Sequence, residues 1–289
     1  MIKMTEYRPI IIVFIAIIFA FSGCSVNSPN KIKIGVVDWP ESRCMTEVVK
    51  IVLEDEMDYQ VEIMELDIDS VFKALAENNC DIFLDCWLPI THEKFIFKYG
   101  SEIENLGINY RGARTGLVVP SYVPIRSIEQ LNEFKDKFKS TIVGIEPDSG
   151  IIRSTQKAIK EYHLDFNLQA LDSDQMAEKL EEAVEQGEWI VVTGWSPHWK
   201  FAKWDLKYLD DPLFIYGAEE SLHTITRKGF AQDYPRIAEF LYNFSLSKEQ
   251  LAELLLFDTS NLGEESNNSF SQWISENRTL VDRWLIDSL

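Results

Sequence analysis

Apolar positions fall into two alternating rhythms along this chain. From Lys31 to Val37, Ile32, Ile34 and Val36 occupy every second position, the period of a half-buried strand. Similar short apolar runs recur at Cys80 to Trp87, Thr141 to Ile145 and Glu188 to Trp195. Between them, Ser42 to Met57, Asp69 to Asn78, Ser149 to Tyr162 and Asp172 to Gln186 carry helical patterns. Ser127 with Gln130, and Ser247 with Gln250, have the spacing of capping boxes and predict two further helix starts. From about residue 231 onward the pattern is mainly helical, with Trp273 and Trp284 at core positions. Strand and helix alternating from 32 to about 200 predict an α/β fold with largely parallel sheets.

Two stretches break this alternation. Arg114 to Pro120 is extended and follows the first α/β unit, and Leu209 to Gly217 follows the second. Two crossings predict a discontinuous first lobe, residues 31–113 plus 214–289, and a continuous second lobe, 114–213. That topology suits hinged closure around a ligand.

Three of the strand-like runs end on a tryptophan with a proline just behind it: Trp39 before Pro40, Trp87 before Pro89, and Trp195 before Pro197. In open α/β sheets ligands bind just beyond the carboxyl ends of the strands. A single tryptophan there most simply caps the core. Three in the same setting predict an aromatic enclosure, and the ligand that suits stacked indoles is a cation without hydrogen-bond donors, a quaternary ammonium. Trp189, Trp199 and Trp204 lack that setting and are read as core or surface residues.

A zwitterion also needs its carboxylate held. Thr141 to Ile151 reads as a strand, a tight turn and a helix N-terminus, where the backbone N–H groups of Gly150 and Ile151 are free to meet an anion. Every strand-to-helix turn shares that property, so this signal is weak alone. His92, five residues after Trp87, adds a donor from the same rim. His163, His198 and His223 have no comparable setting, although His198 is close to Trp195.

The N-terminus predicts the compartment. Lys3 and Arg8 precede an apolar run, Ile10 to Phe21, that is shorter than the ~20 residues a membrane-spanning helix needs but suits a signal-peptide core. Ser22 and Gly23 before Cys24 resemble a bacterial lipobox, so residues 1–23 are read as a signal peptide, Cys24 as the lipidated mature N-terminus, and 24–30 as a polar tether. The alternative is an ordinary cleaved signal with an incidental cysteine. A net charge of −19 makes nucleic acid or anionic lipid a poor partner, since both call for basic patches. Cys44, Cys80 and Cys86, an odd number without C-x-x-C spacing, predict buried thiols rather than a zinc site or a disulfide framework. No metal or cofactor site is expected. The catalytic motifs G-x-S-x-G, H-E-x-x-H, Walker A and G-x-G-x-x-G do not occur, and carboxylates are too abundant for any pair to stand out as acid and base.

The chain resembles the substrate-binding lipoproteins of glycine betaine/proline betaine ABC importers, the family often called OpuAC- or ProX-like. The likeness is carried by Asp38 to Ser42, Asp85 to His92, Arg114 to Pro120, Asp148 to Ile151, Gly194 to Trp199 and Leu206 to Pro212, in that order. It implies a two-lobed fold of the type II periplasmic-binding-protein class, with a hinge between the lobes. It also implies a prism of Trp39, Trp87 and Trp195 around the ammonium, with His92 and the N–H groups of Gly150 and Ile151 on the carboxylate. The function implied is that of a non-enzymatic, monomeric, lipid-anchored receptor on the extracytoplasmic face of the membrane. It would deliver a quaternary ammonium solute to an ABC permease for osmoprotection. Cys86, beside a cage tryptophan, departs from the small or apolar residue expected there and should face away from the ligand. Two other readings remain at this level: a carbohydrate-binding or carbohydrate-cleaving surface lipoprotein, since indoles also stack on sugars, and a receptor for choline or carnitine.

Overall fold

The computed structural model describes residues 31–260 and 266–286; Cys24 and the rest of residues 1–30 lie outside the described residues. Nine strands occur among them: β1 (Lys31–Val36), β2 (Gln60–Glu65), β3 (Ile82–Leu88), β4 (Ile103–Pro120), β5 (Thr141–Gly144), β6 (Asn167–Ala170), β7 (Val191–Ser196), β8 (Leu206–Tyr208) and β9 (Glu220–Arg227). They form a sheet in the order β2-β1-β3-β9-β4-β7-β5-β6, with β8 on β4.

At one end β1 pairs with β2 and β3 in parallel, and helices Pro40–Asp55 and Ile68–Ala76 make the crossovers. At the other, β5 pairs in parallel with β6 and β7, joined through helices Gly150–Glu161 and Ser173–Gln186. Asp67 and Asp172 cap two of these helices by accepting from the backbone N–H groups of Ser70 and Gln175.

The expectation of largely parallel pairing is corrected here. The pairs β3–β9, β4–β9, β4–β7 and β4–β8 are antiparallel. The cause is β4, longer than any pattern in the sequence suggests. Its first part, Ile103 to Ala113, pairs with β9, and from Arg114 to Val118 it pairs with β7. The ladder shifts register between Arg111 and Ala113, where Gly112 takes φ +86°, a conformation open to glycine at little cost. The second passage between the halves is the stretch from Leu209, after β8, to Glu220, where β9 begins.

Helix Lys248–Ser260 packs on helix Pro40–Asp55, and Trp273 and Trp284 are buried in the core beneath it. Ser247 and Gln250 form the reciprocal bonds expected of a capping box, and Ser127 with Gln130 opens a 3-10 turn, Ile128–Phe134, rather than an α-helix. Cys44, Cys80 and Cys86 are buried, and none of them forms a disulfide among the described residues.

Candidate functional site

Three turns converge where the two halves of the sheet meet. After β1 the chain tightens through a bond from the Trp39 N–H to the Val37 carbonyl (2.7 Å), and Pro40 then opens a helix. Trp39 is therefore the residue before a helix, not the last residue of a strand as its pattern predicts. Trp87 lies on β3, and Trp195 lies on β7 opposite Thr115 of β4. All three indoles are buried and line one small cavity.

Each ring is held by a different neighbour. The Trp87 indole N–H donates to Asp85 Oδ1 (2.8 Å), two residues back on the same face of β3. The Trp39 indole N–H donates to Glu146 Oε2 (3.4 Å), beyond β5 in the other half of the sheet, and the ring stacks on His92 with centroids 5.9 Å apart. Trp195 meets His198 edge-on at 4.4 Å, and the Lys200 ammonium lies 3.8 Å from its ring centroid. Cys86 is buried in an apolar cluster with Phe83, Phe95 and Trp39 and is not part of the cavity wall.

Gly150 and Ile151 open helix Gly150–Glu161 and line the same cavity. Ser149 precedes them with its Oγ buried and without a partner among the described residues. Gly150 packs directly on the Thr91 loop: a Cβ there would stand 2.4 Å from the Thr91 carbonyl oxygen.

His92 is not on the cavity wall. It is fully buried among Trp39, Phe72, Phe83 and Phe95, and its Nδ1 accepts from the Trp87 backbone N–H (3.0 Å). Burial lowers its pKa to about 3, aided by the nearby Arg153 and Lys94. The ring is therefore neutral with its proton on Nε2, and that donor has no partner among the described residues.

Sequence reasoning missed Glu41, Thr91, Thr115, Ile145 and Ser149, which also line the cavity. Glu41 follows Trp39 by two residues and falls in the first turn of the helix, which turns it to the same side. Burial pushes its carboxyl up to about 7. The Trp195 indole N–H, although it makes no hydrogen bond of ordinary geometry, lowers it in part, as does Lys200. Burial, and then Glu41, raises Asp85 well above the usual carboxylate range. Burial brings Lys200 down to about 7, with Glu41 opposing, and holds His198 neutral. Of the two acids only Glu41 reaches the cavity, so the carboxylate pair ~5–9 Å apart that glycoside hydrolysis needs is not offered there. Among the described residues, no group of His, Cys, Asp and Glu could hold a metal ion, and no helix is long and apolar enough to cross a membrane.

Residues 30–276 match the model of a protein family described as the substrate-binding domain of ABC-type glycine betaine transport systems. Among curated proteins, the chain is 41% identical over 152 residues to the glycine betaine/carnitine transport binding protein GbuC of Listeria monocytogenes. That match takes in 52% of this chain and 50% of GbuC, so it spans about half the length of the relative. Among solved structures, the glycine betaine/L-proline-binding protein ProX of Borrelia burgdorferi superposes with a TM-score of 0.84 at 32% identity, over 88% of this chain and 96% of that one. Lactococcal OpuAC, closed around glycine betaine, gives 0.83 at 32% identity, over 89% of this chain and 99% of that one.

Proposed function

This chain belongs to the family of substrate-binding domains of ABC-type glycine betaine transport systems, and on that premise we propose that it captures glycine betaine or a closely related quaternary ammonium solute and delivers it to an ABC permease. The observation that carries the reading is that one cavity is lined both by three indoles and by a helix N-terminus with an unpartnered, buried hydroxyl. A zwitterion with a methylated cation can use both kinds of group.

The ammonium sits among Trp39, Trp87 and Trp195, where each desolvated ring face contributes about 0.5–2 kcal/mol and the methyl groups add apolar contact. The carboxylate meets the N–H groups of Gly150 and Ile151, where the helix dipole favours negative charge. Ser149 Oγ completes its shell; support comes from its place in the cavity wall, its burial and its lack of a partner among the described residues. Residues 31–113 plus 214–289 form one lobe and 114–213 the other, closing over the ligand by rotation where β4 changes partner. Lipidation of Cys24 tethers the protein to the outer face of the membrane, supported by the run Ile10 to Phe21 and the Ser22-Gly23 pair ahead of the cysteine. The role is delivery for osmoprotection, not catalysis.

Calorimetric titration of the purified protein with glycine betaine, proline betaine, carnitine, choline and common sugars tests this. Tight binding confined to the methylated ammonium solutes is the expected result. A sugar bound more tightly than every one of them refutes the reading.

A further inference from the structure

The three indoles do not line the cavity alone, because Glu41 is also in its wall. This carboxyl is only 1% exposed, and its Oε2 has no hydrogen-bond partner among the described residues. Burying a carboxylate that is only partly compensated is unfavourable. Two protein cations act on it, Lys200 and then Arg43; Lys200 is buried, lacks a hydrogen-bond partner for its Nζ among the described residues, and lies against the Trp195 ring without being part of the cavity wall. A ligand ammonium would be a second cation on the same indole. Two cations there repel one another unless a negative charge faces them or a proton leaves.

We propose that Glu41 is a cation-binding residue of this pocket, the counter-charge to the ligand ammonium, and that its ionisation is coupled to ligand binding. This rests on the reading that the cavity takes a quaternary ammonium. A fixed positive charge beside Glu41 favours its ionised form, so a ligand that binds expels a proton and affinity rises with pH. With burial pushing Glu41 up to about 7, the rise falls within the neutral range. The other groups facing Glu41 act in known directions. Asp85 on β3 and Lys200 beyond β7 lose protons in the same sense, because a nearby cation favours an ionised acid and a neutral amine. Arg43, on the same helix, keeps its charge, while His198 stays neutral through the range. Tyr110 and Tyr208, both raised, stay protonated.

The test is calorimetry on the full-length protein with glycine betaine as the probe, in two buffers of different ionisation enthalpy and from pH 5.5 to 8.5. In the wild type, proton release near pH 7 and a tighter complex at pH 8.5 are expected. Glu41→Gln keeps the shape and removes the charge: it should weaken binding about tenfold at pH 8.5 and abolish most of the proton release. Lys200→Met should retain the release. A wild type that binds glycine betaine with no proton exchange and a flat pH profile overturns the proposal. So does a Glu41→Gln protein with unchanged affinity and release, or a Lys200→Met protein that has lost the release. If Glu41→Gln does not fold, the wild type and Lys200→Met decide. Failure of the wild type to bind glycine betaine at any pH would instead count against the proposed function.

Discussion

Arg153 donates from Nη2 to the backbone carbonyl of Thr91 (2.8 Å), joining the helix after β5 to the turn after β3. The same guanidinium donates from Nη1 to the Asp148 carbonyl (2.6 Å), so its plane is fixed before it reaches across. With the bond from Trp39 to Glu146, this makes two polar links between the turns after β1 and β3 and the segment after β5. Arg153 makes its link without lining the cavity.

Arg153→Ala removes that link and leaves the cavity walls intact. Bound ligand should leave roughly 5–30-fold faster, matching about 1–2 kcal/mol for a charged, half-buried donor. Stopped-flow tryptophan fluorescence reads the rate. An unchanged dissociation rate would show that the link contributes nothing to closure.

Replacing Trp39, Trp87 or Trp195 by Ala should weaken glycine betaine binding by about 1–3 kcal/mol, and Phe should cost less because it keeps a ring face. If two of the three Ala variants, folded by circular dichroism, hold the wild-type dissociation constant, the cage assignment fails.

Gly150→Ala places a methyl group 2.4 Å from the Thr91 carbonyl oxygen, which lies in the other half of the molecule. The clash exists only when the halves are closed. Affinity should fall at least tenfold while the melting temperature of the unliganded protein moves by less than about 3 °C. A large loss of melting temperature with affinity preserved would mean that the contact persists in the open protein.

His92 gives a stability prediction with a definite sign. Its folded-state pKa, lowered to about 3, lies below the ~6.5 of an unfolded histidine. The unfolded chain therefore binds the extra proton first, and stability held in full above pH 6.5 is lost as pH falls toward 3. The stability difference between wild type and His92→Gln should shrink by about 3 kcal/mol between pH 7 and pH 4, measured by urea unfolding. A difference that stays constant would place the histidine in contact with water.

What the sequence made legible was set by local rules. Trp39, Trp87 and Trp195 stood out because each ends an apolar run and has a proline close behind, and short-range chain geometry is enough to bring such positions to one edge of a sheet. The helix at Gly150 was legible for the same reason. Glu41 was not, since one acid among 47 carries no mark of burial until Pro40 turns the helix that bears it. The mixed pairing was hidden because the span of β4 depends on two partners, β9 and β7, that lie far along the chain. His92 was found by its nearness to Trp87, but its depth behind Trp39 comes from Phe72 and Phe95, which sequence spacing does not connect to it.

The continuity of β4 bears on how such a molecule survives repeated opening. The rotation proposed at Ala113 and Arg114 would turn one peptide backbone while leaving made the bonds to β9 on one side and β7 on the other. No strand edge would be laid bare at that joint. Unpaired edges are what recruit foreign strands into aggregates, so a receptor working outside the cytoplasm, away from cytoplasmic chaperones, would cycle without offering a template for its own misassembly.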